Sequence, residues 1–311
     1  MGRLSALFLC LTLATTACGS EPGSPSSTAP SPIHDDAFPV TIRAANGALE
    51  IAARPKRIVS LSPTATEMLF AVGAGDQVIA VDDQSDYPPG VPTTELSGFE
   101  PNVEAIARYE PDLVLAESDH PALKPLGKLK IPLLVQPAAK TLADTYAQIE
   151  QTGVATGHIA EAAEQVATMR SEIERILEAI PTFEEAPSYY HELDPTYFSV
   201  TSDTFIGHVY KLAGLRNIAD KADKAGSGYP QLSAEYIVEA NPDLIFLADS
   251  ECCNQTPGRV AARPGWDQIA AVKNDAVIVV GDDVSSRWGP RVVEFLQVVV
   301  DGLRQLETAR T

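Results

Sequence analysis

Positive charge is scarce in this chain: 23 Lys and Arg stand against 42 Asp and Glu, a formal net charge of −19. Nothing supplies a basic stripe for phosphates, which argues against a nucleic-acid partner. An anionic membrane surface would also repel the folded body, so any membrane association needs an anchor. Catalytic signatures are missing as well. There is no G-x-S-x-G elbow, no glycine-rich phosphate loop and no H-E-x-x-H, so neither a nucleophile nor an activated water is signposted and an enzyme is not expected. The apolar run at residues 4–13 is too short to cross a bilayer and remain there. Cysteine is rare, with four residues at 10, 18, 252 and 253.

What is present begins with an export signal. "MGRLSALFLCLTLATTACGS" has a basic residue at Arg3, the apolar run, and small residues before Cys18. It resembles a bacterial lipoprotein signal, which implies a leader over residues 1–17 and a lipid on Cys18, against the plainer reading of a secretory signal cleaved nearby. The expected place is the outer face of the cell membrane, with the lipid as the only membrane contact. Residues 18–38, rich in Ser, Pro and Gly, read as a disordered tether. Cys252 and Cys253 then remain in an oxidising compartment, where they can form a vicinal disulfide or offer two soft ligands to a metal; both readings stay open.

Folded sequence is expected from residue 39. "VTIRAANGALEI" holds two short alternating runs around Asn46-Gly47, a hairpin signal. Short apolar runs and helical patterns then alternate: "RIVSL", "TATEMLFAVGA", "QVIAV", "NVEAIARYE", "DLVLA" and "IPLLVQ" predict an α/β lobe over 39–140 with a mainly parallel sheet. Residues 141–186 read as a helical linker. Within it 159–180 lacks Gly and Pro and places Val166, Met169, Ile173, Ile176 and Leu177 on one face, as a long spine helix would. Strand–helix alternation resumes over 187–311, the second lobe.

The second half echoes the first. "EAIARYEPDLVLA" (104–116) matches "EYIVEANPDLIFLA" (235–248), and "TEMLFAVGAGDQVIAV" echoes "GHVYKLAGLRNIA", each helix ending at a capping glycine, Gly73 or Gly214. Two copies of one plan predict two Rossmann-like lobes joined by one bridging helix. Ligand sites in open α/β sheets lie at the carboxyl ends of the strands, so the lobes should enclose a cleft.

"RPKRIVSLSPTATEMLFAVGAGDQVIAVDDQSDYPP", "NVEAIARYEPDLVLA" and "ARPGWDQIAAVKNDAVIVV" resemble the class III periplasmic binding proteins of ABC importers, nearest those for cobalamin and ferric siderophores. The resemblance runs from about residue 54 to 306. It implies a monomeric substrate-binding lipoprotein that needs no cofactor and holds a corrinoid or metal chelate between its lobes. Its partner would be a permease dimer with its ATPase, and one surface glutamate per lobe would dock onto permease arginines. By motif these are Glu67 and Glu235. Charge-assisted pairs with arginine would give orientation as well as attraction. Read locally, Glu67 can instead close a capping box with Thr64, or point outward if Ser62 caps and Pro63 opens the helix. Glu235 can be an acid favoured by its helix N-terminus.

Cleft residues are expected on loops after strands: Tyr87 beside Asp86, Phe99, Glu117 and His120 in the first lobe, and Tyr190, His191, Tyr229, Arg287, Trp288 and Arg291 in the second. Aromatics suit a large planar ligand, and the arginines suit an anionic chelate. Tyr189 and Tyr190 should point to opposite faces of a strand, which makes one of them core. Trp266 reads as core, and Arg291 can pair with Asp282 or Asp283. Haem fits the same pattern. A direct zinc or manganese binder is the alternative, with His120 and His191 meeting at a metal together with Glu117 or Asp119; otherwise no metal site is expected.

Overall fold

The computed structural model describes residues 37–310. The leader, Cys18 and nearly all of the tether lie outside the described residues. The described chain opens on an antiparallel hairpin, β1 (Val40–Ala44) and β2 (Gly47–Ile51), in which Ala44 pairs with Gly47 across a tip of Ala45 and Asn46.

The first lobe follows as β3 (Ile58–Leu61), α1 (Pro63–Ala71), β4 (Val78–Val81), α2 (Val103–Ala107), β5 (Leu113–Ala116), α3 (Pro125–Lys128) and β6 (Leu133–Val135). Two helices come next, α4 (Leu142–Thr156) and α5 (Ile159–Glu178). The second lobe begins with β7 (Ser188–Glu192), α6 (Phe205–Leu212), β8 (Arg216–Asn217), α7 (Ala234–Ala240) and β9 (Leu244–Leu247). It ends with α8 (Ser250–Cys253), α9 (Pro257–Ala261), α10 (Ala270–Lys273), β10 (Val277–Val279), α11 (Asp282–Ser286) and α12 (Val292–Arg310).

The strand orders are β4-β3-β5-β6 and β10-β9-β7-β8, with every pairing parallel. Counted in chain order within each lobe, both sheets run second, first, third, fourth, so the sequence echo is a repeated topology. The "PD" of each copy has one job: the Asp112 carboxylate accepts the Lys56 and Arg57 amides at 2.9 and 3.0 Å, and that of Asp243 accepts the Ser188 amide at 2.8 Å. Each aspartate thereby pins the start of its lobe's first strand.

Both sheets are covered on both faces, so their central strands are buried throughout. Side chains alternate between two cores. Leu113, Leu115, Tyr189, Leu244 and Phe246 enter one large cluster fed by both lobes. Val114 and Ala116 fall to an outer cluster of the first lobe, and Tyr190, Ile245 and Leu247 to one of the second. Helix α5 has 20 residues, a span of about 30 Å. It buries Val166, Met169, Ile173 and Ile176 in the shared cluster, with Leu177 packed at its edge. Helix α4 opens with a reciprocal capping box between Thr141 and Asp144. The two lobes thus share one continuous hydrophobic core. Among the described residues no helix is long and apolar enough to cross a membrane.

Candidate functional site

Strand β3 delivers the chain into α1 through Ser62, whose Oγ accepts the Ala65 amide at 3.4 Å while Pro63 takes the first helical position. That frame decides where Glu67 points. It lies on the buried side of α1, 3% exposed, and makes no capping box with Thr64. Its Oε1 accepts from Arg287 Nη1 at 3.0 Å and from Arg291 Nη2 at 2.5 Å, both from the other lobe. Arg287 also donates to Asp86 Oδ1 at 3.0 Å and the Gln84 carbonyl at 3.1 Å, and pairs with Asp283 at 2.8 Å. Arg291 stacks over the Tyr87 ring at 4.2 Å. Trp288 Nε1 donates to Gln148 Oε1 at 2.9 Å, which adds α4 to the junction. The result is a buried polar seam between the lobes. Gly289 lets the second-lobe loop pass close to α1, since a Cβ there would stand 3.3 Å from Glu67 Oε2.

The expectation that Glu67 is a surface docking residue is therefore corrected: its carboxylate is consumed inside the protein. The repeat pairs Glu235 with a different residue. As Gly73 matches Gly214, Glu67 stands in the register of His208, whereas the partner of Glu235 is Glu104, the first residue of the matched "EAIARYEPDLVLA" segment. Asn102 caps α2 through the Ala105 amide at 2.9 Å, and Ser233 caps α7 through the Tyr236 amide at 3.1 Å. Glu104 and Glu235 are each the second residue of the helix so capped, and both are exposed. The Glu235 carboxyl is held below its ordinary range by its own backbone amide and the Ser233 hydroxyl, so it stays ionised.

Two cavities border the seam. The larger, about 790 Å³, lies along the flanks of α1, α5 and α12 and takes in Glu67, Tyr87 and Arg291. The smaller, about 570 Å³, sits where β3, β4 and β5 end, and is lined by Leu61, Asp82, Phe99, Glu117, His120 and, from the second lobe, Asp283, Arg287 and Trp288. Position at the strand carboxyl ends favours the smaller one as the ligand cleft, whatever its size. Gly98 closes its floor, where a Cβ would fall 2.5 Å from the Leu61 carbonyl oxygen. Phe99 is 80% exposed at its lip. Tyr229, 48% exposed, has its hydroxyl pushed up by partial burial and by the charge of Glu117, which sets the two near each other across the lobes.

Phe99, Glu117, His120, Arg287 and Trp288 thus meet in one cavity, and Tyr229 stands near its acid. Tyr87 and Arg291 belong to the other cavity. Tyr190 and His191 are corrected to core. Both are fully enclosed because the second sheet is covered on each face; Tyr190 packs edge-on to Trp266, and His191 Nδ1 bonds the Tyr210 hydroxyl at 2.8 Å. Burial drives the His191 ring down to about 3, so it is neutral. Tyr189 is core as well, and Trp266 is buried as expected. With His191 enclosed, the meeting of His120 and His191 at a metal does not occur, and no cluster suited to a metal exists among the described residues. Arg291 pairs with Glu67 rather than with Asp282 or Asp283 through a hydrogen bond.

At the carboxyl ends of β7 and β9, Arg263 grips buried Glu192 with two bonds of 2.6 and 2.5 Å. Asp249 beside it has both oxygens buried without a hydrogen-bond partner, and burial, then the Glu192 charge, pushes its carboxyl up to about 7. Cys252 and Cys253 are joined as a vicinal disulfide in α8, which removes them as metal ligands. The Glu251 and Cys252 amides donate to Asp282 at 3.1 and 2.8 Å.

The sequence reading missed Asp82 and Gln148. Asp82 could have been found as the first polar residue after the apolar run "QVIAV". Gln148 gave no signal, because a glutamine in a long helix is ordinarily a solvated residue.

Residues 58–284 match the family model described as periplasmic binding protein. Over 279 residues the chain is 34% identical to an uncharacterized ABC transporter substrate-binding lipoprotein, YvrC, of Bacillus subtilis, covering 86% of each. It is 31% identical to a cobalamin-binding protein of Halobacterium salinarum, over 83% of this chain and 72% of that one. Among solved structures, the periplasmic vitamin B12 binding protein BtuF of Vibrio cholerae superposes with a TM-score of 0.68 at 25% identity, over 81% of this chain and 98% of that one. With two matched parallel lobes about an interlobe cleft, the chain belongs to the periplasmic binding protein family, as a substrate-binding protein of an ABC transporter.

Proposed function

We propose that this protein is an exported lipoprotein, anchored through Cys18, that captures a cobalamin-type corrinoid or a ferric siderophore between its lobes and delivers it to a permease dimer. The observation that carries the reading is the cleft itself. It is a cavity of about 570 Å³ at the carboxyl ends of the first sheet, walled across by second-lobe residues and lipped by the exposed ring of Phe99. An exposed aromatic on a fixed loop offers a planar ligand area at little entropic cost. The buried seam and shared core hold the walls at a set spacing. The relatives named for cobalamin and vitamin B12 support the corrinoid as the first cargo to test.

Delivery is assigned to Glu104 and Glu235, which occupy equivalent capped helix starts in the two lobes and point to solvent. They replace the pair Glu67 and Glu235. Two exposed carboxylates at matched places suit bidentate pairing with arginines on a two-fold partner.

Tryptophan fluorescence tests the cargo. Trp266 is buried away from the cleft, whereas Trp288 lines it. Cyanocobalamin or a ferric siderophore should quench the emission saturably, and Trp288→Phe should remove most of that quench. Absence of saturable binding by corrinoids and ferric chelates alike overturns the reading.

A further inference from the structure

The cleft is poor in positive charge that a ligand could use. Asp82, Glu117 and Asp283 line it, and Arg287 is the one guanidinium among the described residues that do. Both terminal nitrogens of Arg287 are already committed, to Glu67 and Asp86 through one and to the Gln84 carbonyl and Asp283 through the other, and its side chain is 8% exposed. His120 spends its Nδ1 on the backbone, where it accepts the Ala122 amide at 3.2 Å.

The acids, by contrast, face the cavity. Asp82 is 3% exposed, and its Oδ1 accepts the Ser85 hydroxyl at 2.5 Å. Burial pushes its carboxyl up to about 6. Glu117, on the loop after β5 and open to the cleft, is raised by desolvation and then by the charge of Asp82. Glu117 is therefore close enough to feel the charge of Asp82 across the cleft wall. Ionised carboxylates only accept hydrogen bonds. A ligand bearing its own carboxylates or catecholates would bring like charge against them, whereas amide or ammonium N–H groups would meet partners already in place.

We propose that Asp82 and Glu117 set the charge class of the cargo: the cleft admits neutral, amide-fringed or cationic chelates through N–H donation and turns away polyanionic ones. This rests on the reading of the cleft as a site for a corrinoid or ferric chelate. It favours a corrinoid or a cationic ferric hydroxamate over haem or a ferric tris-catecholate.

The test is a set of fluorescence titrations at neutral pH and about 0.15 M salt, where surface charge is screened beyond about 8 Å. The probes are cyanocobalamin, the cationic ferric trihydroxamate ferrioxamine B, haem, and the polyanionic ferric tris-catecholate enterobactin. The wild type should bind one of the first two at least about tenfold more tightly than either of the last two. Asp82→Asn with Glu117→Gln should shift that ratio toward the polyanions by about tenfold for each charge removed. Glu117→Gln alone, at an exposed position, gives the same reading should the double variant fail to fold. A wild type that prefers haem or the tris-catecholate, or a ratio that the substitutions leave unchanged, overturns the proposal, and the cargo reading stands wherever cyanocobalamin or a ferric siderophore still binds saturably. Binding of none of the four overturns both.

Discussion

Replacing Glu67 with glutamine keeps the shape of the side chain and takes away the one carboxylate that both seam arginines share. Arg287 would retain Asp86 and Asp283, but Arg291 would lose the one ion pair it makes among the described residues. The Glu67 and Arg291 side chains are 1% and 13% exposed, so water can replace little of what is lost. Removing one partner of a buried pair costs about 3–5 kcal/mol, because the other charge is left uncompensated. In a chain of this size that corresponds to a fall in melting temperature on the order of 10 °C. Calorimetry of the purified ligand-free protein is the assay, with Glu104→Gln as the exposed-acid control that should leave the melt where it is. The double variant Glu67→Met with Arg291→Met should recover part of the loss, since an apolar pair avoids the desolvation of two charges. Cleft affinity should fall together with stability in Glu67→Gln, because the same seam sets the distance between the cleft walls. A loss below about 1 kcal/mol, the range of an exposed ion pair, would refute the buried-seam argument. A variant of normal stability that bound cargo but could not import it would return Glu67 to the docking role.

Three further outcomes are expected. Glu104→Ala with Glu235→Ala should abolish import in cells while cargo affinity and melting temperature stay at wild-type values; normal transport by that variant would remove the docking assignment. Asp249, enclosed with Glu192, Arg263, Tyr190 and Asp282, has a folded-state pKa of about 7 against an ordinary 3.8. Between those values the folded protein holds a proton that the unfolded chain does not, so stability from this group rises as pH falls through 7 and is lost above it. Asp249→Asn should accordingly melt higher than wild type above pH 7 and show a flatter profile; parallel profiles for the two proteins would contradict the assignment. Asn102→Ala should lower stability by about 1 kcal/mol through loss of the α2 cap, as read from thermal melts, and an unchanged melt would show the cap to be idle.

Much of the fold was legible because its signals are local. Unbroken apolar runs such as "DLVLA" and "DLIFL" mark strands covered on both faces, and the stretch without Gly or Pro after residue 158 marks the spine. The capping glycines Gly73 and Gly214 both take positive φ, at 84° and 76°, as their places at helix ends imply. The repeat also aligns Glu104 with Glu235 by register alone. The part that went wrong was the side of the fold each residue faces. Tyr190 and His191 follow the rule that cleft residues sit near strand ends, yet the strand continues through them to Glu192 beneath a helical cover.

Sequence by itself determined the two-lobe plan and the spine, because each depends on composition or on spacing within a few turns of chain. Tertiary structure alone decided the seam. Glu67 meets Arg287 across 220 residues and Arg291 across 224, and no local pattern distinguishes an acid that will find such a partner from one that will face water. The choice belongs to desolvation: once the lobes close over α1, a carboxylate there must be paired, and the two arginines of the far lobe are what the fold brings to it.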